Sequence, residues 1–173
     1  MQQEMTAKDV VDIYSQLNDN KIDAWIDGGW GIDALIGELT RPHGDLDIII
    51  QEKDVTQIKE LLGDQNYKIL QRDDLADNYF HMSDGKGHEI DITAIHFDEK
   101  GDGIFGPAEN NEMNPADSFG GIGKINGQEV KCVSLEYAIK FRLDHEIAKH
   151  DAEDIIALCK KFGLEIPVEY REP

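Results

Sequence analysis

The stretch from Trp25 to Ile50, W-I-D-G-G-W-G-I-D-A-L-I-G-E-L-T-R-P-H-G-D-L-D-I-I-I, constrains this chain more than any other. It holds a short apolar run, the pair Gly28-Gly29, a helical pattern opening at Trp30, and Asp45-Leu46-Asp47 leading into Ile48-Ile49-Ile50. Three consecutive β-branched residues predict a buried strand. In a strand, residues two apart share a face and lie roughly 6.6–7 Å apart along the chain. Asp45 and Asp47 therefore point one way, Leu46 and Ile48 the other. Two carboxylates side by side repel unless a cation stands between them, and hard oxygen ligands at this spacing suit Mg²⁺. Glycines let backbone N–H groups approach an anion closely, and a helix N-terminus adds partial positive charge. Either motif alone reads as an ordinary turn or a solvated strand start. Together they are the equipment for phosphoryl or nucleotidyl transfer.

The rest of the chain alternates strand and helix patterns. Thr6 and Asp9 form a capping box ahead of Val10, Ile13, Tyr14 and Leu17 at helical spacing. A first strand is expected over 22–26, a short helix over 30–36 stopped at Gly37, and the acidic strand over 45–51. Asp54 is expected to cap a helix through Leu62. Strands are predicted over 67–70, 78–83 and 88–95, with Gly85-Lys86-Gly87 turning between the last two. Along 88–95, Glu89, Asp91, Thr93 and Ile95 share one face and Ile90, Ile92 and Ala94 the other. Asp73, Asp74 and Asp77 read as a solvated loop, and 98–119 as irregular chain lying over the site. That segment holds a decoy: Asp98, Asp102, Gly103 and Glu109 fit an EF-hand spacing, but Lys100 stands where an oxygen ligand is needed. Asn126-Gly127 marks a hairpin. Ser134 opens a helix with Leu135, Ala138, Ile139, Leu143 and Ile147 on its apolar face, and a last helix ends at Gly163.

Gly28-Gly29-Trp30 followed by Arg41-x-His43-x-Asp45-x-Asp47 resembles the signature of the antibiotic nucleotidyltransferases of the DNA polymerase β-like superfamily. The similarity runs from about Trp25 to about Ile155. It is greatest to the lincosamide type, then to the aminoglycoside 2″-O type. The wider superfamily has Gly-Ser where this chain has Gly28-Gly29, so a hydroxyl donor to phosphate is replaced by backbone alone. The resemblance implies an α/β (α+β) nucleotidyltransferase fold. A length of 173 residues suits one domain, or one compact domain with a helical extension, placed here as a transferase domain over 1–132 and an extension over 133–173 packed on it. The resemblance also implies Mg²⁺ held by Asp45, Asp47 and Asp91, with Asp91 as third carboxylate or base. It further implies an NTP co-substrate, ATP first, bound through Gly28, Gly29, Trp30, Arg41, His43 and Lys149. The lincosamide enzymes carry His and Gly-Tyr where this chain has Arg142 and Asp144-His145. The roles of Glu89, Lys140, Arg142 and His145 stay open at this point.

Charge narrows the partners. With 36 acidic and 17 basic residues the net charge is −19, which disfavours nucleic acid and anionic membrane and suits a cationic small acceptor. The N-terminal residues show no signal-peptide pattern and no apolar run approaches a bilayer span, so the chain reads as cytoplasmic. A monomer or homodimer is expected. Cys132 and Cys159 lack the spacing of a zinc site or disulfide framework. His145 and His150 are five apart, not the four of a zinc helix. No nucleophile elbow and no Walker loop occur. Three functions remain: lincosamide transfer, aminoglycoside transfer, and a non-catalytic nucleotide-binding module on the same fold.

Overall fold

The isoleucine run becomes the middle of the sheet in the computed structural model, which describes residues 5–71, 78–105, 112–143 and 149–170. Asp45–Gln51 (β2) lies between Ala24–Ile26 (β1), antiparallel to it, and Glu89–Phe97 (β5), parallel to it. Tyr79–Ser83 (β4) and Lys68–Ile69 (β3) extend the sheet beyond β5. Gln128–Cys132 (β9) and Gly121–Ile125 (β8) extend it beyond β1, giving the order β3-β4-β5-β2-β1-β9-β8. The helices are Ala7–Asp19 (α1), Gly28–Ile36 (α2), Val55–Gly63 (α3), Leu135–Leu143 (α4) and Lys149–Phe162 (α5). This is the mixed α/β (α+β) sheet expected of the chain.

Strand alternation divides the sheet into two unlike faces. Leu46, Ile48, Ile50, Ile90, Ile92, Phe80 and Met82 form one core with Val10, Ile13 and Leu17 of α1 and Ile58 and Leu62 of α3. Burying each such side chain is worth about 1.5–3 kcal/mol against leaving it exposed. On the other face, Trp25, Ile49 and Ile95 pack against Ile32 and Ile36 of α2, Ala138 of α4 and Leu158 of α5. The same face carries Asp45, Asp47, Glu89 and Asp91 at the strand starts. The apolar half anchors the helices and leaves the acidic half for chemistry.

Local signals behave largely as their chemistry predicts. Thr6 and Asp9 make the reciprocal capping box of α1. Asn126 and Gly127 both take positive φ in the β8–β9 turn, as a two-residue hairpin of this hand requires. Other expectations change. Helix α2 begins at Gly28, not Trp30, so both glycines belong to its first turn. Asp54 ends a 3₁₀ turn, Glu52–Asp54, and makes no capping bond; burial pushes its carboxyl up. The segment expected to be irregular contains Gly103–Phe105 (β6), Glu112–Asn114 (β7) and a 3₁₀ turn, Ala116–Phe119. Strand β6 forms because β5 runs on to Phe97 and offers it a partner. Gly103 is needed there, since a Cβ would lie 2.7 Å from the Phe119 ring. Asp73, Asp74, Asp77, Glu109, His145 and Ile147 lie outside the described residues. Both cysteines are buried free thiols, and Cys132 is pushed up to about 12 by burial, then by Asp27. No helix among the described residues is long and apolar enough to cross a membrane.

Candidate active site

The parallel register of β2 and β5 brings the carboxylates together. Asp47 stands opposite Asp91 and Asp45 opposite Glu89, across a strand spacing of about 4.8 Å. Burial pushes the Asp47 carboxyl well above the ordinary carboxylate range, and the negative charges of Asp27, Asp45 and Asp91 push further. Arg142 pulls it back. Asp27 was not among the expected acids. It occupies the N-cap position of α2 without capping it, and its N–H donates to the Asp47 carbonyl at 3.0 Å. Its only mark in the sequence is its place directly before Gly28.

The two glycines clear space for Asp47 and His43 as well as offering N–H groups. Gly28 has φ +60°, and a Cβ there would sit 1.9 Å from Asp47 Oδ2. At Gly29 a Cβ would sit 2.3 Å from His43 Nδ1. His43 has little room to yield. It is buried, its Nε2 lies 2.6 Å from Asp33 Oδ2, and its ring packs on Trp30 at 4.8 Å. Asp33 is fixed in turn, its Oδ1 accepting from the Thr40 N–H at 3.1 Å and hydroxyl at 2.5 Å. The first-turn N–H groups of α2 have no partner within the helix, the arrangement in which helix N-termini take anions.

Gly28, Gly29, Arg41, His43, Asp45 and Asp47 line one open pocket of about 370 Å³, completed by Arg142 of α4. Six of the expected site residues thus meet there. Asp91 stands beside Asp47 on the neighbouring strand. Trp30 differs from expectation: its side chain is buried in the core, and what it can offer the pocket is backbone. Arg41 is bound bidentately by the buried Asp154 of α5, at 2.8 Å for both Nε and Nη2. It latches α5 to the loop before β2 while still facing the pocket. Lys149 begins α5, but its side chain lies outside the described residues. Of the residues left open, Arg142 enters the pocket and approaches Asp154 at 3.8 Å, whereas Lys140 lies over the Tyr137 ring. Nothing in the helical pattern separates these two cations.

Among the described residues no three His, Cys, Asp or Glu side chains make a ready metal cage. Mg²⁺ keeps several waters and binds through one or two carboxylates together with substrate phosphates. Asp45 and Asp47 are the carboxylates lining this pocket that would hold such an ion.

The sequence model of the aminoglycoside-2″-adenylyltransferase family matches residues 9–158. The chain belongs to this family. Membership makes it a nucleotidyltransferase, with a nucleotide as co-substrate. Its relatives include a lincosamide resistance protein of Staphylococcus haemolyticus, 25% identical over 152 residues, which cover 87% of this chain and 92% of the relative. Among solved structures, the lincosamide adenylyltransferase LnuA with lincomycin bound superposes with a TM-score of 0.80 at 25% identity, over 90% of this chain and 98% of that one. ANT(2″)-Ia in complex with adenylyl-2″-tobramycin shares the fold, with a TM-score of 0.71 at 20% identity over 91% and 89% of the two chains.

Proposed function

We propose that this family member is a Mg²⁺-dependent lincosamide nucleotidyltransferase, moving the adenylyl group of ATP to an acceptor hydroxyl with release of pyrophosphate. The observation that carries the transfer chemistry is the Asp47–Asp91 register beside the Gly28-Gly29 turn, and the lincosamide acceptor is supported by the likeness to the lincosamide resistance protein and to LnuA. The first-turn N–H groups of α2 hold the outer phosphates, with Arg142 as the pocket cation. Asp45 and Asp47 hold the metal, and Asp91 completes its second site or takes the proton from the attacking hydroxyl. When bound, Mg²⁺ neutralises phosphate charge and stabilises the attacking and leaving oxygens. In this reading residues 1–132 carry the chemistry, and the helices of 133–173 supply Arg142 and Asp154. The partners are a small antibiotic and a nucleotide, taken up in the cytoplasm.

A second reading, aminoglycoside transfer, is favoured by the family's description and by the net charge of −19, which would draw a polyamine acceptor. A non-catalytic nucleotide-binding role is disfavoured because all three carboxylates are retained. The test is incubation with Mg²⁺, each NTP and a panel of both antibiotic classes, followed by mass analysis. Lincosamide gaining one nucleoside monophosphate, with aminoglycosides unmodified, supports the first reading. The reverse pattern supports the second, and kcat/KM should then fall steeply with salt, because screening shortens the field to about 8 Å at physiological ionic strength. A chain that binds nucleotide and modifies no acceptor would leave only the binding module.

A further inference from the structure

Asp91 is already braced before any substrate arrives. Strand β4 runs antiparallel to β5 with His81 directly opposite Asp91, and His81 Nδ1 is hydrogen-bonded to Asp91 Oδ1. Tyr79, on the same face of β4, donates its hydroxyl to Asp91 Oδ2 at 3.2 Å. The Tyr79 and His81 rings meet edge to face, with centroids 4.8 Å apart. His81 is 3% exposed and the Asp91 side chain 14%. Whenever Asp91 is ionised it only accepts, and Nδ1 is then the donor of this contact. A carboxylate has about four lone-pair sites. His81 and Tyr79 take one on each oxygen, and each oxygen keeps another for a metal or a hydroxyl.

Simple core packing does not account for His81. The packing residues of β4, Phe80 and Met82, point to the opposite face and join the isoleucine core. His81 lies on the acidic face, where a plain apolar ring could fill the space but could not hold an oxygen of Asp91. We propose that His81 is a positioning residue for the transfer: it sets the orientation of the Asp91 carboxylate beside Asp47, with Tyr79 as the second brace. The inference rests on the reading of Asp91 as base or second metal ligand. Partners of this outer kind are worth about 10–100-fold in activity or metal affinity.

The test compares His81→Phe, which keeps a planar ring without a donor, with His81→Asn, whose amide nitrogen reaches the place of Nδ1. His81→Phe is expected to lower kcat about 10–100-fold while nucleotide Kd stays within about twofold. His81→Asn should recover most of the loss. Introduced into Asp91→Asn, His81→Phe should cost nothing further, because residues that act through one group are not additive. Wild-type kcat in His81→Phe, no recovery in His81→Asn, or an equal loss in the Asp91→Asn background would each overturn the proposal. If His81→Phe does not fold, Tyr79→Phe takes its place, removing the Oδ2 donor with the ring retained and lowering kcat at unchanged nucleotide Kd. Should the wild-type chain modify no acceptor, the functional reading fails by itself. Crystal structures then decide the positioning role. An Asp91 carboxylate turned in His81→Phe and held in His81→Asn supports it, and one unmoved in both refutes it.

Discussion

Asp47→Asn should make the metal-free protein more stable, although it removes a residue central to the site. At the strand spacing of about 4.8 Å, two ionised carboxylates repel by about 3 kcal/mol at an effective dielectric constant near 20. The Asp47 carboxyl lies well above its ordinary value because of burial and three neighbouring acids, and Arg142 returns part of that cost. A net gain of about 1–2 kcal/mol for the Asn variant follows, or roughly 3–6 °C in Tm for a chain of this size. The pH dependence has a definite sign. With its native pKa raised above the unfolded value of about 3.9, Asp47 contributes stability below that value and loses it as pH rises through the native one. The Tm difference between variant and wild type should therefore be near zero at pH 4 and open towards pH 8. Calorimetry in EDTA across this range measures it. Mg²⁺ with ATP should then reverse the order, since a ligand at a hundredfold its Kd adds about 2.7 kcal/mol to the wild type. An Asn variant less stable than wild type at pH 8 in EDTA would refute the reasoning, by showing that Arg142 outweighs the acids.

Gly28→Ala should keep the fold and lose about a hundredfold or more in kcat, because its Cβ displaces Asp47 by more than an ångström; circular dichroism and steady-state rates check both halves. Gly29→Ala strikes the pinned His43 instead, so about 1–3 kcal/mol of stability should be lost as well, visible as a lower urea midpoint. Arg41→Ala leaves the buried Asp154 with Arg142, 3.8 Å away, as its ion-pair partner among the described residues, and should cost about 3 kcal/mol in urea unfolding. Adding Asp154→Asn to it should restore part of that loss. Arg142→Ala should raise nucleotide KM about tenfold or more, the worth of one charge-assisted hydrogen bond, with a smaller change in kcat; an unchanged KM would remove Arg142 from the phosphate site.

What the sequence determined by itself is everything with a short period. Alternation in 45–51 and 89–95 assigns Asp45, Asp47, Glu89 and Asp91 to the polar faces of their strands before any fold is known. Thr6 with Asp9, Asn126-Gly127 and Gly163 mark their caps and turns because each satisfies or frees the backbone locally. The resemblance of the motif from Gly28 to Asp47 adds the family. None of this says which strands are neighbours. Periodicity reports the face of a side chain, whereas the neighbour is chosen by helices packing over both sides of the sheet. Only that choice sets Asp47 beside Asp91, and Asp91 against His81 and Tyr79. The same holds for Arg41, whose partner Asp154 arrives from α5, and for Asp27 and Arg142, which look like any surface acid and helical cation in the chain. Charges interact over a few ångströms of space rather than along the sequence. The acidic face is therefore written locally, and its electrostatics are decided only when distant segments pack.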